Sequence, residues 1–238
     1  TVAAAGCPVI QIEEPMHHFR AQNPKATPED MAFLTDAFNR EVDGVATEIW
    51  VHTCWGNPAQ QSVKDESTTY EPALEELFRV NADVVTFECA STGGKDIEAI
   101  GNLCREHDIL FHTDAAQSVG KLGIDLTRLP VDLMSLTAHK FYGPQGIGAL
   151  YVADRPGTAV FPILFGGGQE RRLRPGTVPV HLVCGLGAAA VLAMEERRAN
   201  YQKVTEHGDR LWQRIRTVSG IHRNGDTEMT YPGILNVG

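Results

Sequence analysis

The sequence predicts an α/β fold built on an open, mainly parallel sheet. Short apolar runs that end in polar clusters, ILFHTD at 109–114 and VDLMSLTAHK at 131–140, read as buried parallel strands that deliver side chains at their ends. A helical pattern, DIEAIGNLCREHDI, separates the run NADVVTFECAS from ILFHTD, which is the order of a parallel strand–helix–strand crossover. With 238 residues the chain is long enough to bury a real core, as one large domain or two small ones.

The elements follow in order. PVIQIEEP reads as a buried strand closing on Glu13 and Glu14, with Pro15 stopping it; the plain alternative is a solvated acidic turn. TPED starts a helix, with Thr27 as N-cap and Pro28 at the first helical position, and Met31, Phe33, Leu34 and Phe38 supply its apolar face. TEIWVHTCWGNP is the next strand. It carries His52 and Cys54 at a spacing of two, on one side of a strand; the pair suits metal ligation, or is a core histidine and a small buried thiol. YEPALEELFRV reads as a helix, and NADVVTFECAS as a third strand with Glu88 near its end. In the following helix Ile97, Ile100, Leu103 and Cys104 face inward. GPQGIGALYV starts with a Pro/Gly turn and runs into a strand, closing a hairpin with VDLMSLTAHK. Residues 153–177 read as a Gly/Pro/Arg-rich loop. Residues 181–218 read as one or two long helices with Leu192, Ala193, Leu211 and Ile215 inward and Cys184 in the core. IHRNGDTEMTYPGILNVG reads as the start of a small second domain.

Asp114 and Lys140 both fall at predicted strand ends. An acid and an amine so placed suit a cofactor with a carbonyl to trap and a ring nitrogen to protonate, as in pyridoxal phosphate. HTDAAQSVGK and SLTAHKFYGPQGIGALYV closely resemble the cysteine desulfurases and selenocysteine lyases, pyridoxal-phosphate enzymes of the class V aminotransferase group. FPILFGGGQERRLRPGT is most similar to the selenocysteine lyase branch. The resemblance covers roughly residues 97–238. It implies removal of sulfur or selenium from cysteine or selenocysteine, a small amino-acid substrate and a homodimer. Lys140 would be the Schiff-base lysine, with His139 beside it in the catalytic group. Asp114 would pair with the pyridine nitrogen, Gln117 would bond the ring oxygen, and Thr137 and His139 would hold the phosphate. Thr177 would reach a partner subunit's cofactor. Val178 and Pro179 depart from the Glu-Asn that the family usually carries there, and Pro179 removes a backbone donor from that loop. The family's nucleophilic cysteine loop has no match among the five cysteines, so the expected chemistry is incomplete.

QIEEP, WVHTCWGNPAQQ and DVVTFECAS resemble a second family, the C-terminal barrel of cobalamin-independent methionine synthases, over roughly residues 9–96. That resemblance implies zinc held by His52, Cys54 and Glu88, with Glu13 or Glu14 at the substrate site. The chain is therefore expected to be a chimera: a barrel-like segment over 1–96, a pyridoxal-phosphate large-domain fragment over 97–215, and a truncated small domain over 216–238. The expected fold is a pyridoxal-phosphate-transferase-type sheet preceded by βα units of the TIM-barrel type. Alternative functions are a zinc-dependent methyltransferase fragment and a folded but inactive chimeric product.

Charge and composition exclude other classes. A net charge of −9 lacks the basic stripe that a nucleic-acid partner requires. No run approaches the ~20 apolar residues of a membrane helix, and the N-terminal TVAAAGCPVIQIEEP has no basic flank of a signal peptide. Five scattered cysteines without CxxC spacing fit the reducing cytoplasm.

Overall fold

The structure, a computed structural model, describes residues 3–14, 16–53, 69–87, 89, 96–223 and 231–238. The chain divides into two units. One comprises Thr1–Ile100, His222–Tyr231 and Asn236–Gly238, and the other Gly101–Ile221 and Pro232–Leu235. The division falls inside a helix.

The first unit carries a three-stranded sheet in the order β1 (Val9–Glu13), β2 (Glu48–Thr53), β3 (Val84–Phe87), parallel throughout. Between the strands run α1 (Met16–Ala21), α2 (Pro28–Val42) and the short α3 (Leu74–Leu77). Thr27 caps α2 as its sequence requires. The Thr27 hydroxyl accepts from the Asp30 amide and Asp30 accepts from the Thr27 amide, a reciprocal capping box with Pro28 in the first turn. Phe38, Val42, Ile49, Val51 and Val80 pack the core, with Ile10, Ile12 and Val85 against them.

The inward stripe of α2 is Met31, Thr35, Phe38 and Val42, so Phe33, expected inside, is 63% exposed. Thr35 takes the core position because its hydroxyl has partners there. It donates to Glu76 Oε2 at 2.8 Å and faces His17 Nε2 at 3.2 Å. His17 Nδ1 lies 3.3 Å from Glu14, so a polar chain Glu14–His17–Thr35–Glu76 ties the end of β1 to all three helices.

The second unit holds another three-stranded sheet: β4 (His112–Asp114), β5 (Leu133–Thr137) and β6 (Gly148–Val152). β4 and β5 are parallel, while β5 and β6 form the predicted antiparallel hairpin. The expected helix is α4 (Asp96–Glu106), with Ile100 and Cys104 buried. It joins two sheets rather than two strands of one sheet, since β3 and β4 belong to different ladders among the described residues. β4 contributes only three residues. Ile109 and Leu110, predicted to start it, precede the ladder and are exposed.

One helix, α5 (Val180–Ile215), fills the region read as one or two. Its inward stripe is Leu186, Ala189, Ala190 and Ala193, packed against Ala138 and Phe141. Leu192 and Leu211, expected inside, are exposed, as is Cys184. Only the first half of the helix meets this cluster, and Leu192 lies one residue off the 3.6-residue stripe. Pro179 stands just before α5, where its carbonyl accepts from the Leu182 and Val183 amides. A missing amide costs little at a helix start, so Pro179 fits its place there. No helix among the described residues is long and apolar enough to cross a membrane.

Candidate functional site

The parallel pairing of β4 and β5 brings the predicted residues to one end of the second sheet. Asp114 ends β4, Thr137 ends β5, and His139 and Lys140 lie in the tight turn Ala138–Phe141 directly after it. That turn is closed by the Gly143 amide, which donates to the Ala138 carbonyl at 2.9 Å. Its C-cap, Tyr142, is left-handed (φ 67°). Gly143 is required by close approach: a Cβ there would stand 2.8 Å from the Ala138 Cβ. Asp114, Gln117, His139 and Lys140 are exposed and Thr137 half-buried, so this end of the sheet is open to a ligand.

Asp114 is held by two donors on one oxygen. Oδ1 accepts from the Ala116 amide at 2.9 Å and from the Ser135 hydroxyl at 3.2 Å. Among the described residues Oδ2 makes no hydrogen bond, so it is free to accept from a ring N–H. Thr137 Oγ1 lies 3.0 Å from His139 Nδ1 and also donates to the Ile147 carbonyl at 3.4 Å. This leaves His139 Nε2 for a ligand. Gln117 Oε1 accepts from Lys121 Nζ at 2.9 Å. Lys140 forms no ion pair with a described carboxylate, so nothing holds its amine away from a carbonyl. These residues fit pyridoxal phosphate: an acid with a free oxygen, an amine clear of acids, and hydroxyl, imidazole and amide groups around them.

Thr177 lies apart in the sequence, on the exposed loop before α5. Among the described residues it makes no hydrogen bond to this group. Reading the sequence missed two participants, Ser135 and Lys121. Ser135 could have been found by alternation, since it lies two residues before Thr137 on the same side of β5. Lys121 could have been found by its four-residue spacing from Gln117.

The methyltransferase-like residues are partly described. Glu13 and His52 are register partners at the ends of β1 and β2, with Glu13 Oε2 3.9 Å from His52 Nε2. His52 Nδ1 is 2.9 Å from the Thr86 hydroxyl. Glu14 is committed elsewhere, accepting from the Met16 amide at 2.9 Å and facing His17. Cys54 and Glu88 lie outside the described residues. Among the described residues no group of three His, Cys, Asp or Glu side chains is placed to hold a metal ion.

Comparison with known proteins bears on the family of the chain and on its fold. Residues 59–238 match the aminotransferase class-V family, and the chain belongs to that family. The match starts well before residue 97, so it takes in part of the segment that the sequence led one to expect as methionine-synthase-like. Two curated relatives are cysteine desulfurases IscS. The chain is 50% identical to that of Pectobacterium atrosepticum over 143 residues, which are 60% of this chain and 35% of the relative. It is 51% identical to that of Photorhabdus laumondii over 181 residues, 76% of this chain and 42% of the relative. The chain thus spans well under half the length of these relatives. A solved structure of SspA in complex with cysteine superposes with a TM-score of 0.59 at 30% identity, covering 95% of this chain and 57% of that one.

Proposed function

We propose that the chain is the cofactor-binding part of a pyridoxal-phosphate enzyme of the cysteine desulfurase type, which removes sulfur, or selenium, from cysteine or selenocysteine. The observation that carries this reading is the placement of Asp114 and the Lys140 turn at the adjoining ends of parallel β4 and β5, with Ser135 bonded to the acid. The family and its relatives support it. Pyridoxal phosphate, when bound, supplies a carbonyl for an amine and a ring that accepts the electrons of a breaking bond.

The side chains would divide the work. Lys140 would provide the amine. Asp114 would hold the proton on the ring nitrogen through Oδ2, its other oxygen being fixed by Ala116 and Ser135. Gln117 would donate to the ring oxygen. Thr137 and His139 would bind the phosphate, their mutual hydrogen bond orienting the imidazole, and His139 would stand next to the reacting amine. Thr177 would serve a second copy's cofactor in a homodimer. The natural substrate would be a small amino acid, and the cytoplasm its location.

The test is the absorption spectrum of purified protein after pyridoxal phosphate is added, followed by borohydride reduction and peptide mapping. A yellow species trapped on Lys140 and lost in Lys140→Ala is expected. Label scattered over surface lysines, or an unchanged adduct in the variant, would overturn the assignment.

A second reading concerns the first unit. The Glu13–His52 pair at adjoining strand ends favours a methionine-synthase-like segment over roughly residues 9–96, built of TIM-barrel-type βα units and holding zinc on His52, Cys54 and Glu88. On this reading residues 97–215 are the pyridoxal-phosphate large-domain part and 216–238 the start of a small domain. Zinc retained by the wild type and lost in Cys54→Ser would support it; metal-free folded protein would end it. A folded sample that retains neither group would be an inactive chimera.

A further inference from the structure

The segment after β4 carries a second lysine with no assigned role. Residues 115–122 form two short helical turns, closed by the Ser118 and Val119 amides on the Ala115 carbonyl and by the Lys121 and Leu122 amides on that of Ser118. A spacing of four on such turns sets Gln117 and Lys121 side by side, and Lys121 Nζ donates to Gln117 Oε1 at 2.9 Å. An ammonium carries donors only. It therefore selects the oxygen of the Gln117 amide and leaves the NH2 end, with both its donors, for another acceptor.

The segment is also fixed against the Lys140 turn. Gly120 is left-handed (φ +80°), and a Cβ there would stand 2.8 Å from the Phe141 Cβ and 3.2 Å from the Ala193 Cβ. Lys121 is half-buried. Burial first, and then the charge of Lys140, pushes its amine below the ordinary lysine range, so the two amines share one neighbourhood.

We propose that Lys121 is a positioning residue: it locks the Gln117 amide so that its N–H donors are presented to the ring oxygen of a cofactor held between Asp114 and Lys140. This rests on the pyridoxal-phosphate reading above. A hydrogen bond donated to the ring oxygen stabilises its anionic form, so it lowers the pH at which the yellow species on Lys140 titrates. A freely turning amide gives less of that effect.

The experiment is a spectroscopic pH titration of the pyridoxal-phosphate adduct in wild type, Lys121→Met, Lys121→Arg, Gln117→Leu and the double variant Gln117→Leu/Lys121→Met. Lys121→Met is expected to raise the midpoint by about half a pH unit or more, and Lys121→Arg, which keeps the donors, to restore it. In the Gln117→Leu background Lys121→Met adds nothing further. A midpoint unmoved in folded Lys121→Met overturns the proposal. So does an equal shift in the Gln117→Leu background, because Lys121 would then act as a bare charge. A companion measurement needs neither variant nor cofactor. In the cofactor-free wild type, the NMR resonances of the Gln117 side-chain amide should move as Lys121 loses its proton in the alkaline range. A flat profile overturns the proposal even if Lys121→Met fails to fold. If no adduct forms while that profile titrates, it is the cofactor reading that falls and the Lys121–Gln117 lock that stands.

Discussion

Asp114 and Ser135 stand opposite each other in the parallel β4–β5 ladder, and the Ser135 hydroxyl donates to Asp114 Oδ1 at 3.2 Å. The Ala116 amide donates to the same oxygen, so the carboxylate is held from strand and turn at once. The arrangement fixes the acid without consuming Oδ2. It also follows from register: a shift of one residue would turn Ser135 to the opposite face of the sheet.

Ser135→Ala should therefore weaken pyridoxal phosphate without abolishing it. A hydroxyl bonded to a carboxylate at an open site is worth about 1 kcal/mol, roughly fivefold in affinity. Asp114→Ala should cost much more, since it removes the proposed ring partner and the acceptor of the Ala116 amide together. Absorbance titration with the cofactor checks both. Equal losses in the two variants would show that Ser135 acts on the fold and not through Asp114.

Gly120→Ala should destabilise the second unit. The substitution forces a Cβ onto a left-handed residue and into the Phe141 and Ala193 side chains. The combined penalty is about 2 kcal/mol, or about 5 °C in Tm for a chain of this size. Gly187→Ala, with nothing within 4 Å of the added Cβ in α5, is the control and should leave Tm unchanged or raise it. Thermal unfolding of the two variants decides the matter, and equal Tm values would refute the close contact.

The second sheet was legible because its information is local. Apolar runs ending at Asp114 and Lys140, and a Pro/Gly turn before β6, specify two strand ends and a hairpin within about 45 residues, consistent with short-range turn and pattern signals. Ser135 and Lys121 escaped notice because an ordinary serine and a surface-type lysine gain meaning only from a neighbour, in one case across a ladder and in the other one helical turn away. The sheet count was not legible. A strand–helix–strand order over NADVVTFECAS, α4 and ILFHTD says nothing about which ladder each strand joins. Leu192, Leu211 and Phe33 show the limit of hydrophobicity as a guide: Leu192 and Phe33 lie off the stripe that their helices bury, and Leu211 lies on the half of α5 beyond the packed cluster.

Cys104 should be inert to alkylation while Cys184 reacts. Burial, reinforced by the negative charge of Asp132 and only partly offset by Arg155, pushes the Cys104 thiol up to about 11. At pH 8 roughly one thiol in a thousand would be ionised, and the thiolate is the nucleophile. Cys184 is exposed on α5. Iodoacetamide treatment of folded protein with mass mapping should find label on Cys184 and none on Cys104 until denaturant is added. Equal labelling in the folded state would show that α4 does not bury Cys104.

Acid should destabilise the first unit through Glu14 and Glu76. Burial raises the Glu14 carboxyl, but bonds and charge from His17 and the Met16 amide outweigh it, and the net direction is down from 4.5. Burial likewise raises Glu76, and the Thr35 hydroxyl and Arg79 outweigh it, again to a net lowering from 4.5. A carboxylate with a folded pKa below its unfolded one binds fewer protons when folded. Its contribution is complete above the unfolded value of 4.5 and disappears as pH falls through the folded value. Urea midpoints measured from pH 7 to pH 3 should thus hold level and then drop below about pH 4.5. Glu76→Gln keeps a group able to accept from Thr35 but does not titrate, so its profile should start lower at pH 7 and fall less steeply in acid. Parallel wild-type and Glu76→Gln curves would mean that the Glu14–His17–Thr35–Glu76 chain contributes through packing and not through its carboxylates.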